Sequence, residues 1–225
     1  MKTFFKVVLF VFVAAFYSCG KDEVSSASSS ITSAGVISGT ISNYGVSPVD
    51  SIHFNGSNAI VSTDGKFSKT LSIPRSTDLY EIGLTDGLKI SDVKALISEL
   101  EIVPYYNSNS GGGELLKTNI TENMTSPEGA SLSMFLYCDR DITITGTGSE
   151  KGEIMEFTGM MTFDLKLKKG WNEVVFKIEK FSLTTGEATM KVSNTIPSDS
   201  KWLYIGEDTA GTASKIKMMK SLLKK

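Results

Sequence analysis

The 225-residue sequence has little of the chemistry on which many enzymes and binding sites depend. It contains two cysteines and one histidine, which excludes a disulfide framework, a zinc site with several Cys and His ligands, and most His-based proton relays. Basic and acidic side chains nearly balance, 23 against 25, so the net charge of −2 gives no electrostatic case for a nucleic-acid partner. With 40% apolar residues, the composition is that of a globular chain with a sizeable core.

A membrane-spanning run is also lacking near the N-terminus. Lys2 and Lys6 precede eleven apolar residues at positions 7–17, whereas a helix needs about 20 to cross a bilayer. The run therefore predicts the hydrophobic part of a signal peptide. It ends in Phe-Tyr-Ser-Cys-Gly, a pattern that resembles the lipobox of bacterial lipoproteins. The resemblance implies a signal peptide over residues 1–18 and a diacylated Cys19; an ordinary signal peptide is the alternative.

The residues after the cysteine carry a second resemblance. Lys21, Asp22 and Glu23 follow Cys19 almost directly and resemble the export signal of Bacteroidota surface lipoproteins. This implies a lipid-anchored protein of the outer membrane that faces the cell exterior. Residues 19–35 would hold the lipidated cysteine and a tether, because the serine-rich stretch at 25–33 cannot bury enough apolar surface to fold.

From residue 36 the sequence predicts an all-β fold, a β-sandwich built of antiparallel hairpins. Residues 36–75 read as short strands separated by Gly, Asn and Asp, and they resemble the carboxypeptidase-regulatory or transthyretin-like β segment of Bacteroidota surface proteins. Residues 76–209 form the predicted sandwich body. Residues 210–225 predict a short amphipathic helix with lysines away from its apolar side.

The strongest periodicity lies near the middle of the predicted body. Apolar residues alternate with polar ones in residues 163–167 and again in 174–178, with Lys-Lys-Gly between the two runs. A period of two sends alternate side chains to opposite faces of a strand. We therefore predict a hairpin closed at Lys168-Lys169-Gly170, with one buried face made by Phe163, Leu165, Leu167, Val174, Phe176 and Ile178.

Aromatic side chains are the candidates for ligand contact. Trp171, Tyr105 and Tyr106 are predicted to stack on sugar rings, and Trp171 at the hairpin turn is expected to be the most exposed. Packing in the core or at its rim is the alternative for these residues, as it is for Trp202 and Tyr204.

Catalytic and metal-binding groupings are weak, and we predict neither a catalytic site, a metal site nor a cofactor. His53 alternates with apolar neighbours on a predicted strand, which is typical of a surface residue. Cys138 ends an apolar strand and is expected to be a buried small hydrophobe. The acid groups could support glycoside hydrolysis or calcium binding in principle, but they lie in apparent turns or lack the spacing of a calcium loop. These groups are Glu150, Glu153, Glu156, Asp139 and Asp141.

Two short patterns suggest a covalent modification. Asp50-Ser51-Ile52 and Asp208-Thr209-Ala210 resemble the O-glycosylation signal of exported Bacteroidota proteins, which implies Ser51 and Thr209 as acceptors.

The functional hypothesis from the sequence is a membrane-anchored binding or accessory protein, not a catalyst, with a glycan or an outer-membrane protein as partner. A surface glycoside hydrolase that uses carboxylates and a fimbria-like structural subunit are the alternatives.

Overall fold

The computed structural model describes residues 31–32, 34–46, 49–83, 86–106, 109–110, 113–120, 126, 128–151, 158–182, 185 and 187–206. The predicted signal peptide, Cys19, the export signal, most of the tether, Thr209 and the predicted C-terminal helix lie outside these residues. No helix in the described ranges is long and apolar enough to cross a membrane.

The described chain is almost entirely β-structure, which confirms the predicted all-β class. The strands are β1 (Val36–Thr40), β2 (Ser51–Phe54), β3 (Ser57–Ile60), β4 (Lys66–Thr70), β5 (Tyr80–Glu81), β6 (Leu88–Ile90), β7 (Leu96–Glu99), β8 (Ile102–Tyr106), β9 (Asn109–Ser110), β10 (Glu114–Thr118), β11 (Ser131–Cys138), β12 (Ile142–Lys151), β13 (Thr158–Leu167), β14 (Gly170–Phe181), β15 (Glu187–Ser193) and β16 (Lys201–Ile205). Two short 3₁₀ turns, Tyr44–Val46 and Ser76–Asp78, complete the regular elements.

Ten of these strands form one large curled sheet. Its main path runs β16-β10-β11-β14-β15-β13-β12-β6, and β7 and β5 continue from β11. The inner side of the curl holds the first hydrophobic core, to which β11 contributes Leu132, Leu136 and Cys138 and β12 contributes Ile142 and Ile144.

The predicted hairpin of β13 with β14 is wrong. The two strands are consecutive in the chain, but β15 lies between them, parallel to β13 and antiparallel to β14. At the junction, the Asn172 side chain accepts from the Lys168 N–H at 2.8 Å and donates to the Lys168 carbonyl at 2.7 Å. Asn172 therefore closes the short connection, beyond which the two strands separate and admit β15.

The faces predicted for these two strands are nevertheless largely as expected. Leu165, Leu167, Val174, Phe176 and Ile178 are buried in the first core, and Phe163 is half-buried against it. The intervening residues Asp164, Lys166 and Lys177 are exposed. The alternation therefore assigns the faces of each strand, although it does not identify the neighbouring strand.

The N-terminal strands form a second layer on the outer side of the large sheet. β1 pairs with β4, and a four-stranded sheet has the order β3-β2-β8-β9. The second core lies beneath this layer and includes Ile52 and Phe54 of β2 together with Phe135 of β11 and Trp202 of β16. Residues 36–75 thus share both a sheet and a core with the rest of the chain, since β8 belongs to the predicted body.

A buried ion pair lies on the side of the large sheet that faces the second core. The Lys117 Nζ lies 2.8 Å from Oε1 and 3.0 Å from Oε2 of Glu173, and the two side chains are 1% and 4% exposed. Lys117 is on β10 and Glu173 on β14, with β11 between them. Ser133 of β11 lies directly opposite Lys117, and its small side chain allows the ion pair to pass over the strand.

Candidate functional site

The outward face of the four-stranded sheet is the most distinctive exposed surface in the described part of the chain. On β2, Ile52 and Phe54 point into the second core, so Ser51 and His53 point away from it. Ser51 lies directly opposite both Ile60 of β3 and Tyr105 of β8. His53 lies opposite Asn58 in the same way. These five residues, Ser51, His53, Asn58, Ile60 and Tyr105, define what we name the His53–Tyr105 face.

Local sequence chemistry explains how this face is built. Asn55 and Gly56 connect β2 to β3, and both have positive φ, 46° and 81°, as a two-residue hairpin turn requires. The Asn55 side chain accepts from the Glu101 N–H at 2.8 Å and donates to the Glu99 carbonyl at 3.4 Å. The turn is therefore fixed to the segment before β8, which sets the register of β8 against β2.

Two rings on the face are stacked. The centroids of His53 and Tyr105 are 3.8 Å apart, and the ring planes differ by 16°. Each ring is half-buried, while Ile60 beside them is 83% exposed. An aromatic pair next to an exposed aliphatic side chain supplies apolar contact area, and Ser51 and Asn58 supply hydroxyl and amide groups. This combination suits a ligand with both C–H faces and hydroxyl groups.

The other aromatic candidates lie elsewhere. Trp171 is half-buried, not the most exposed aromatic as expected, because its ring packs edge-on against Tyr137 with centroids 5.6 Å apart. Its indole N–H donates to the Ser72 carbonyl at 3.0 Å, which ties β14 to the N-terminal layer. Tyr106 is 47% exposed but alternates with Tyr105, so it lies outside the His53–Tyr105 face. Trp202 and Tyr204 are buried in the second core.

Ser51, one of the two predicted O-glycosylation acceptors, lies within this face. Its hydroxyl is half-buried and donates to Asp50 Oδ1 at 3.0 Å. Its assignment as an acceptor remains a prediction.

The acidic candidates of β11 and its turn have structural partners. Arg140 donates to Asp139 and Asp92, each at 2.9 Å, and its hydrogen bond holds the pKa of Asp139 below the ordinary value. Lys168 contacts Asp141 at 2.8 Å and lowers its pKa in the same way. No cluster of metal-binding side chains occurs among the described residues. The side chains of Glu150, Glu153 and Glu156 lie outside the described part.

Two further groups have perturbed protonation. Burial raises the pKa of the Cys138 thiol, as expected for a buried side chain outside any reactive site. Burial also raises the pKa of Glu99, whose Oε1 accepts a 2.6 Å hydrogen bond from Tyr80, and burial raises the pKa of Tyr80 as well. Glycoside hydrolysis uses two facing carboxyl groups, and Glu99 is paired with a phenol instead.

Comparisons with protein-family models, with curated proteins and with solved structures found no match for this chain.

His53 was not among the ligand candidates predicted from the sequence, although its ring stacks on Tyr105. The stacking of His53 on Tyr105 depends on the pairing of β8 with β2 across about fifty residues of chain, and no local pattern predicts that pairing. The alternation of β2, with Ile52 and Phe54 buried, did place His53 on the outer side. Alternation on both strands predicts which side chains point outward, but it does not predict the register that stacks the two rings.

Proposed function

We propose that this chain is a membrane-anchored surface lipoprotein that binds a glycan through the His53–Tyr105 face. The anchor rests on the resemblance of residues around Cys19 to a lipobox and of Lys21, Asp22 and Glu23 to an export signal. The observation that carries the binding function is the stacked pair of His53 and Tyr105 on an outward face. Ring faces pack well on the C–H faces of sugars, and the neighbouring polar groups bond to hydroxyls.

A non-catalytic role agrees with the structural pairing of three of the described acids. Asp139 and Asp141 each contact a cation that helps to fix the turn between β11 and β12. Glu99 pairs with Tyr80 between β5 and β7. These pairings favour binding over hydrolysis as the activity of the described surface.

A glycan array tests the binding function with a closely matched control. We expect Tyr105→Ala to weaken binding of array-positive sugars at least about tenfold, which corresponds to about 1.4 kcal/mol of stacking and contact energy. Tyr105→Phe keeps the ring and should retain most of the affinity. Tyr106→Ala removes an adjacent tyrosine outside the face and should change little. Equal losses in Tyr105→Ala and Tyr106→Ala, or no array-positive sugar at all, would contradict the proposal.

Fractionation of cells tests the anchor. Cys19→Ala removes the thiol to which the lipid would be joined, so the protein should leave the membrane fraction. Unchanged partitioning would exclude lipidation at Cys19.

Protease shaving of intact cells tests the surface location. Replacing Lys21, Asp22 and Glu23 by alanine should leave the protein in the membrane fraction but protect it from added protease. If the wild type and the triple variant are digested equally, these residues do not direct export, whatever the state of Cys19.

A further inference from the structure

The large sheet has a second distinctive surface, on the side opposite the first core, where the residues of its later strands are largely exposed. Alternate residues of β6, β12, β13, β14 and β15 pack against the first core, so the intervening ones point to the opposite side. Eight lysines and threonines on this side define what we name the lysine–threonine face: Lys89, Thr143, Thr145, Thr147, Thr162, Lys166, Lys177 and Lys191.

The arrangement of charge on this face is unfavourable for the protein alone. Lys177 of β14 and Lys191 of β15 lie directly opposite each other, and like charges in that position destabilise a sheet. Neither lysine has an ion-pair partner among the described residues. Thr162 continues their row on β13. A partner that supplies negative charge would relieve the repulsion within this pair.

Two further lysines, Lys89 and Lys166, lie farther along the same side of the sheet. Lys89 lies one row away from the Lys177–Lys191 row and Lys166 two rows away, and the acids Asp164 and Glu187 lie on the same side of the sheet. Alternate residues on one strand are about 7 Å apart, and opposite residues are about 5 Å apart. Lys177 and Lys191 lie within the Debye length of about 8 Å at physiological salt and repel each other, whereas Lys89 and Lys166 lie at least two strands or rows from that pair. The lysines on this side outnumber Asp164 and Glu187, although the whole chain is net negative, at −2.

We propose that the lysine–threonine face binds an anionic polysaccharide that carries carboxylate or sulfate groups. The four lysines complement the repeated negative charges of such a polymer, and the exposed threonine hydroxyls can bond to its sugar hydroxyls. An open sheet face suits an extended chain. Binding to a bilayer surface usually adds large apolar side chains that enter the headgroup region, and the exposed outward rows carry threonine and lysine with Met160 beside them. The site is separate from the His53–Tyr105 face, so either can exist without the other.

The test measures polymer binding by the full-length protein in mild detergent. We expect the wild type to bind polygalacturonate or dextran sulfate, to ignore neutral dextran, and to lose affinity as salt is raised. Lys177→Glu and Lys191→Glu should each weaken binding about tenfold or more. Lys94→Glu makes the same charge change at an exposed lysine in the loop between β6 and β7 and should leave binding nearly unchanged.

The melting temperature distinguishes lost binding from lost folding. Lys191→Glu places an acid opposite Lys177, so its melting temperature should stay equal or rise while binding falls. Absence of wild-type binding to both charged polymers at low salt would overturn the proposal, as would an equal loss in Lys94→Glu. Binding to vesicles of phosphatidylglycerol is measured with the same variants. If they alone distinguish the wild type from the Lys177 and Lys191 variants, the face binds lipid headgroups and the proposal fails.

Discussion

The buried ion pair between Lys117 and Glu173 gives a sharp test of how a charge pair is accommodated on the large sheet beneath the second core. Both side chains are almost inaccessible, at 1% and 4% exposure, so neither charge can be solvated if the other is removed. Lys117→Met leaves a carboxylate in the second core, and Glu173→Leu leaves an ammonium there. We expect each single variant to lose about 3–5 kcal/mol of unfolding free energy.

The double variant carries the decisive information. With both charges replaced by apolar side chains of similar size, no buried charge remains and the desolvation cost disappears. We expect Lys117→Met/Glu173→Leu to lie within about 1.5 kcal/mol of the wild type. Urea unfolding of all four proteins gives the coupling energy through a double-mutant cycle. A double variant as unstable as the sum of the two single variants would refute the reasoning, because the residues would then act independently.

Three further predictions concern single positions. Phe176→Ala should lower the free energy of unfolding by about 3–5 kcal/mol because it opens a cavity in the first core, while Lys166→Ala should change it by no more than about 0.5 kcal/mol. Thermal melts compare the two variants, and a larger loss for the lysine variant would contradict the assigned faces. Burial raises the folded-state pKa of Glu99, so its contribution to the free energy of unfolding is fully present at low pH and is lost as pH rises from 4.5 through that pKa. Glu99→Gln keeps the acceptor for Tyr80 and should remove this pH dependence, which denaturant titrations at several pH values measure. Cys138 is fully buried and should resist thiol reagents until the chain unfolds. Fast labelling of Cys138 in the native protein would contradict its buried position.

Local patterns were sufficient to predict which side of a strand is buried. Leu165 and Phe176 point into the first core, and Lys166 and Lys177 point outward, because alternation depends only on backbone geometry. The pairing of β13 with β14 was predicted from their closeness in sequence, and that inference failed. The Lys-Lys-Gly connection looks like a hairpin turn, whereas the neighbour of each strand is β15, which comes later in the chain.

The candidate sites were less predictable because they depend on distant pairings. Tyr105 was recognised as a ligand candidate, but its partner His53 is brought to it by the β2–β8 register. The exposure of Trp171 was overestimated because its contacts, Tyr137 and the carbonyl of Ser72, come from remote parts of the sequence. The lysine–threonine face likewise requires the parallel pairing of β13 with β15, and no single-strand pattern contains it.

The position of β15 between β13 and β14 has a consequence for the order of folding. β12 with β13, and β14 with β15, are antiparallel neighbours in sequence, and each pair can form early as a local hairpin. The parallel contact between β13 and β15 can form only when these two hairpins meet. The contact joins residues about thirty positions apart, such as Thr158 and Glu187, so it should form after the two local hairpins. Until then the inner faces of both hairpins, including Leu165 and Met190, remain open to association with other unfolded chains.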